Sequence, residues 1–107
     1  MKTTPLIEEW GHSTFSAGNV EEALSHLNSS NDIHALFTDI YLMKDVHGGF
    51  GLARHAVKIR PGLRVLYTTG HYVTEEMKVQ FVDGASCLRK PYTERELRDS
   101  VEKLVAA

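Results

Sequence analysis

Short apolar runs alternate along this chain with stretches whose apolar residues recur at helical spacing, and polar or glycine-containing punctuation marks each junction. That alternation is the signature of repeated β-α units. Ser13-Thr14-Phe15-Ser16-Ala17 alternates weakly, as a half-buried strand does, and predicts a strand from Ser13 to Ala17. Ala35-Leu36-Phe37-Thr38-Asp39 predicts a second strand that closes on an acid. Arg64 to Thr69 is continuously apolar through Val65-Leu66-Tyr67, the pattern of a parallel strand covered by helices on both faces. Asp83-Gly84 turns the chain into a last short strand, Ser86 to Arg89.

The helices between them are marked by their ends. Asn19 stands as N-cap, with Glu22 at the capping-box position, for a helix over Val20 to Leu27 whose apolar face is Ala23, Leu24 and Leu27. A second helix is predicted near Phe50 to Ile59 and is stopped by Arg60-Pro61-Gly62. A third is expected from Thr74 to Val82. A fourth runs from Glu94 to about Val105, opened by the S/T-x-x-E pair Thr93 and Glu96.

With 107 residues, 42% of them apolar and 24% charged, the chain predicts one soluble globular domain spanning residues 1–107. Net charge is −2 and the basic residues are scattered, so no nucleic-acid footprint is present. Cys87 is the only cysteine, and no stretch has the length and apolarity of a membrane span or a signal-peptide core. No membrane partner is expected, and a reducing, cytoplasmic compartment is. The six histidines show no structural-zinc spacing, and Trp10, Tyr41, Tyr67, Tyr72 and Tyr92 are expected in the core or at interfaces. Walker, dinucleotide and nucleophile-elbow motifs are absent.

In an open parallel sheet, ligands bind beyond the carboxyl ends of the strands. Three chemistry-bearing residues stand at such ends: Asp39, Thr69 and Lys90. A carboxylate there can attack phosphorus and form an acyl phosphate. An amine and a hydroxyl from neighbouring strand ends can neutralise or donate to the phosphoryl oxygens. Taken singly, Asp39 reads as a turn cap, Lys90 as a solvated charge and Thr69 as a β-branched strand residue. Together they read as a phosphoryl site. A dehalogenase-like phosphatase would need a second acid two residues after Asp39, where this chain has Tyr41.

Ala35-Leu36-Phe37-Thr38-Asp39-Ile40-Tyr41-Leu42, Val65-Leu66-Tyr67-Thr68-Thr69-Gly70 and Leu88-Arg89-Lys90-Pro91-Tyr92 resemble the receiver domain of two-component response regulators, over about Leu6 to Val105. The resemblance implies a flavodoxin-like α/β fold, a doubly wound parallel sheet. It implies that Asp39 is the phosphoacceptor, that Thr69 is the switch hydroxyl and that Lys90 contacts the phosphate. It also implies a histidine kinase or phosphotransfer protein as partner, magnesium as cofactor, and a phosphorelay component rather than an enzyme. Gly49 resembles the glycine opening the family's third helix. Pro91 resembles the proline after the lysine, commonly joined through a cis bond, whose penalty proline lowers.

The chain also departs from the pattern. Leu6-Ile7-Glu8-Glu9-Trp10-Gly11-His12 matches the end of the family's first helix, so the first strand and its acidic pair are expected to be missing, leaving about four strands. Glu8 and Glu9 lie at the wrong end of that helix to replace the pair. The metal site is then incomplete, reduced to Asp39 and the Tyr41 carbonyl, with weak or absent magnesium binding expected. Cys87 stands where many receivers have a switch aromatic, and is expected to be a small buried hydrophobe. Met43, in Met43-Lys44-Asp45-Val46-His47-Gly48, stands where proline is common.

Without a first strand, the flavodoxin order 2-1-3-4-5 has an empty slot between the second strand and the third. Such a slot invites strand addition. Either Ser13–Ala17 shifts beside Ala35–Asp39, or the chain completes itself as a homodimer, including by strand exchange. The alternative function is therefore a phosphorylation-independent interaction module. With no output domain expected after Ala107, a response would pass through the face formed by the last two helices and the Cys87 strand.

Overall fold

Among the described residues three short segments form strands: β1 (Ala35–Asp39) and β2 (Arg64–Thr69), which carry β-branched and aromatic residues, and β3 (Ser86–Arg89), which has neither. In this computed structural model, residues 3–15, 17, 19–29, 32–41 and 48–106 are described, with side chains from Leu6 to Val105. The strands form a parallel sheet in the order β1-β2-β3. Asp39 lies opposite Thr68, and Thr69 opposite Arg89.

Among the described residues, five helices surround the sheet: α1 (Thr3–Glu9), α2 (Val20–Leu27), α3 (Gly48–Ile59), α4 (Glu75–Lys78) and α5 (Glu94–Ala106). On one face Leu66 and Leu88, with Ala35 and Phe37, meet Leu97, Val101 and Leu104 of α5 and Leu6 and Ile7 of α1, beside Trp10. On the other face Val65 and Tyr67 meet Phe50 and Ala53 of α3 and Met77 of α4. Leu24 and Leu27 of α2 join Ala56 and Leu63 in a third cluster. Each fully buried Leu, Val or Phe contributes about 1.5–3 kcal/mol. Helices therefore cover both faces, as in the flavodoxin-like fold expected from the sequence.

Two expectations are corrected. Residues 12–15 and 17 belong to neither helix nor strand, and Ser16 lies outside the described residues, so the Ser13–Ala17 strand is not formed there. In the flavodoxin order that segment would pair with the first strand, and no such neighbour exists among the described residues to take its hydrogen bonds. The helix expected over Thr74–Val82 stops at Lys78. Gln80 and Phe81 donate to carbonyls three residues back, and the Val82 amide donates to the Tyr67 hydroxyl (3.3 Å), so the helical ladder ends. Tyr72, expected in the core or at an interface, is not in the core: it is 76% exposed, with the Arg89 guanidinium 4.0 Å from its ring centre. The Met43 departure lies outside the described residues.

Candidate functional site at the strand ends

The ladder continues one step past each strand end, and that extension places the site. The Ile40 amide donates to the Thr68 carbonyl (2.9 Å), and the Lys90 amide donates to the Thr69 carbonyl (2.7 Å). β2 thus holds Asp39 on one side and Lys90 on the other. Side chains alternate between faces of a strand. Asp39, Thr68, Leu88 and Lys90 accordingly fall on one face of the sheet, and Thr69 on the other.

The contacts follow that parity. Lys90 Nζ lies 2.9 Å from Asp39 Oδ1, and both side chains are 46% exposed. A half-exposed pair of this kind is worth on the order of 1 kcal/mol or less, so it positions the acid more than it stabilises the fold. Thr68 Oγ1 donates to the same Oδ1 at 3.1 Å. The Thr69 hydroxyl accepts from the His71 amide at 3.1 Å. The structure thus brings Asp39 and Lys90 together and ties Thr69 to the turn after its own strand.

Behind the acid, Thr38 Oγ1 donates to the Asp39 carbonyl (3.0 Å), and the Gly49 amide donates to the Ile40 carbonyl (2.8 Å). Gly49 is buried against the backbone of Asp39 and Ile40, where any Cβ would collide. The start of α3 is therefore packed directly onto the strand end that carries the acid. At the rim, the rings of Tyr41 and His71 lie 4.6 Å apart. The Lys90–Pro91 bond is cis.

Asp39 is a single carboxylate whose Oδ1 already accepts from Lys90 and Thr68. Glu8 and Glu9 are exposed in the last turn of α1. Among the described residues, no three His, Cys, Asp or Glu side chains gather closely enough to hold a metal ion. The donors present do not by themselves make a magnesium site, and no chemical step is drawn through one. Cys87 is half-buried on β3 against the Tyr67 cluster, and burial pushes its thiol pKa up, away from the reactive thiolate.

Sequence reasoning missed Thr68. Its signal was present in the period of two along β2, but the register linking that period to Asp39 is a tertiary fact. No helix among the described residues is long and apolar enough to cross a membrane.

No family model matches this chain. No curated protein matches it either. Solved structures do. A response regulator receiver protein from Sinorhizobium medicae WSM419 is 27% identical with a TM-score of 0.80, the match covering 98% of this chain and 83% of that one. The receiver domain of NtrX from Brucella abortus is 25% identical with a TM-score of 0.83, covering 98% and 88%. A Burkholderia pseudomallei response regulator, solved with a phosphorylated aspartic acid, calcium ion and citrate, is 27% identical with a TM-score of 0.76, covering 95% and 57%. Strand order, helix placement and these likenesses over nearly the whole chain show that it is built like the receiver domains of response regulators.

Proposed function

We propose that this domain accepts a phosphoryl group on Asp39 from a histidine kinase or phosphotransfer protein and passes the signal on through protein contacts. The observation that carries the reading is the Lys90 ammonium 2.9 Å from Asp39 Oδ1 in the crevice beyond the strand ends. The phosphorylated aspartic acid of the Burkholderia pseudomallei response regulator is in keeping with it. As Asp39 attacks, charge moves from its carboxylate to the phosphoryl oxygens, and the flexible Lys90 stem lets the ammonium follow that charge. The Thr69 hydroxyl, at the adjacent strand end, is the second phosphoryl ligand in this reading.

Magnesium, with Asp39 and the Tyr41 carbonyl as its protein donors, would be held weakly and would serve to neutralise phosphate charge. The domain is a substrate of phosphoryl transfer rather than a turnover enzyme. A cytoplasmic setting suits its single free thiol. Exposed Val79 and Tyr72, near α4 and β3, support that face as the one that meets an output protein.

The test is intact-mass spectrometry after incubation with acetyl phosphate, with and without magnesium, beside Asp39→Ala. The expected result is a gain of one phosphate by the native protein and none by the variant. No gain by the native protein would overturn the reading.

One observation favours a second reading, an interaction module that works without phosphorylation. Among the described residues, β2 is the only strand paired with β1, although four of the five β1 residues are half-buried and Thr38 is buried. In this reading a second copy of the chain completes the sheet along the other edge of β1, giving a homodimer.

A further inference from the structure

Thr68 is 3% exposed, and a buried hydroxyl needs a hydrogen-bond partner. It donates across the β1–β2 register to Asp39 Oδ1 at 3.1 Å, on the oxygen that Lys90 Nζ meets at 2.9 Å. Neither bond uses Oδ2. The preceding residues of β2, Val65-Leu66-Tyr67, are buried and largely apolar, so this position is one where an apolar side chain would serve packing equally well. The hydroxyl there is a chemical choice, because it fixes the carboxylate by one oxygen and leaves the other to react.

We propose that Thr68 is a positioning residue that holds Oδ1 of Asp39, directs attack through Oδ2, and shortens the lifetime of the aspartyl phosphate. This inference rests on the phosphoacceptor reading. In the forward step Oδ2 bonds to phosphorus as the P–N bond of the phosphohistidine donor breaks. The P–N electron pair passes to the imidazole, which takes up a proton, and Oδ1 becomes the acyl carbonyl oxygen. In hydrolysis a water oxygen bonds to phosphorus, the P–Oδ2 bond breaks, and its electron pair returns to the carboxylate while the water's proton goes to solvent. Part of that returning charge falls on Oδ1. A hydroxyl donor already in place there stabilises the departing carboxylate more than it stabilises the neutral acyl carbonyl.

The experiment compares native protein, Thr68→Val and Thr68→Ser, each phosphorylated with acetyl phosphate, and follows loss of the phosphate by intact mass. Thr68→Val is expected to lengthen the half-life roughly three- to tenfold, the scale of one hydrogen bond to a charged group that is only partly developed. Thr68→Ser keeps the hydroxyl and is expected to decay near the native rate. A valine variant with native kinetics, or a serine variant as slow as valine, would overturn the proposal, the latter because packing alone would then explain the effect. If valine unfolds the domain, Thr68→Ala is read in its place.

Isotope-edited infrared spectra of the unphosphorylated carboxylate supply a second readout. The Asp39 band is expected to move in Thr68→Val and to stay near native in Thr68→Ser. An unmoved band in the valine variant refutes the hydrogen bond itself. Failure of the native protein to take up phosphate is a different result, since it appears before any Thr68 substitution and overturns the phosphoacceptor reading together with this role.

Discussion

Burial raises the pKa of both Cys87 and Tyr67, neighbours across the β2–β3 register. For Tyr67 the hydrogen bond from Val82 and the charge of Arg54 oppose the rise, and Cys87 adds to it. Each group is neutral when protonated, so above its ordinary pKa the folded state binds more protons than the unfolded state. Stability from these groups is therefore complete below pH 9.0, the ordinary cysteine value, and falls as pH climbs further, with Tyr67 adding to the fall above 10.0. Urea midpoints measured from pH 8 to 10.5 should decline, and Cys87→Ala should flatten the first part of that decline. An equal slope in the variant would remove Cys87 as the cause. At this scale Asp39 and Lys90 were legible because strand-end chemistry needs only the strand boundary. Which threonine faces the acid was not, because Thr68 and Thr69 differ only in the parity that the β1–β2 register assigns.

Elements announced by their ends were the most readable. Thr93 and Glu96 exchange both capping bonds, at 3.1 Å each, and Asn19 accepts from the Glu22 amide at 2.8 Å. α4 was misjudged because its end is decided by the Tyr67 hydroxyl, which lies 15 residues away in sequence and takes the Val82 amide. Gly49 shows the same dependence in the other direction, since its need for no side chain comes from β1. A Cβ at Gly49 would fall within 2.8 Å of Ile40 Cα and overlap the Asp39 carbonyl oxygen. Backbone on both sides cannot yield as a flexible side chain would. Gly49→Ala should therefore push α3 off the strand end, costing roughly 2 kcal/mol or more. Phosphate uptake at Asp39 should fall with it. Gly51, in the same helix, has open space around its Cβ position, so Gly51→Ala should leave both thermal stability and phosphate uptake near native. Equal behaviour of the two variants would mean that α3 does not rest on the Asp39 backbone.

For the molecule as a whole, the edge of β1 that no described strand covers is the feature with the widest consequences. The Ile40 amide and the His34 carbonyl both bond toward β2. By alternation, the amides of Ala35, Phe37 and Asp39 point the other way, along the edge that no described strand covers. Apolar side chains beside exposed backbone donors are the arrangement that draws a second strand. A second copy meeting β1 about a twofold axis would pair the same edge on both protomers, a self-complementary contact. Proline is tolerated at the first residue of an edge strand when its nitrogen faces outward. Ala35→Pro should thus preserve the β1–β2 ladder while removing one donor from that edge. Light scattering over a range of protein concentrations should show a native dimer, shifted at least several-fold toward monomer in Ala35→Pro with little change in thermal stability. A native protein that stays monomeric at high concentration would leave the β1 edge outside any self-association, and a variant as dimeric as the native protein would move the contact elsewhere on the surface.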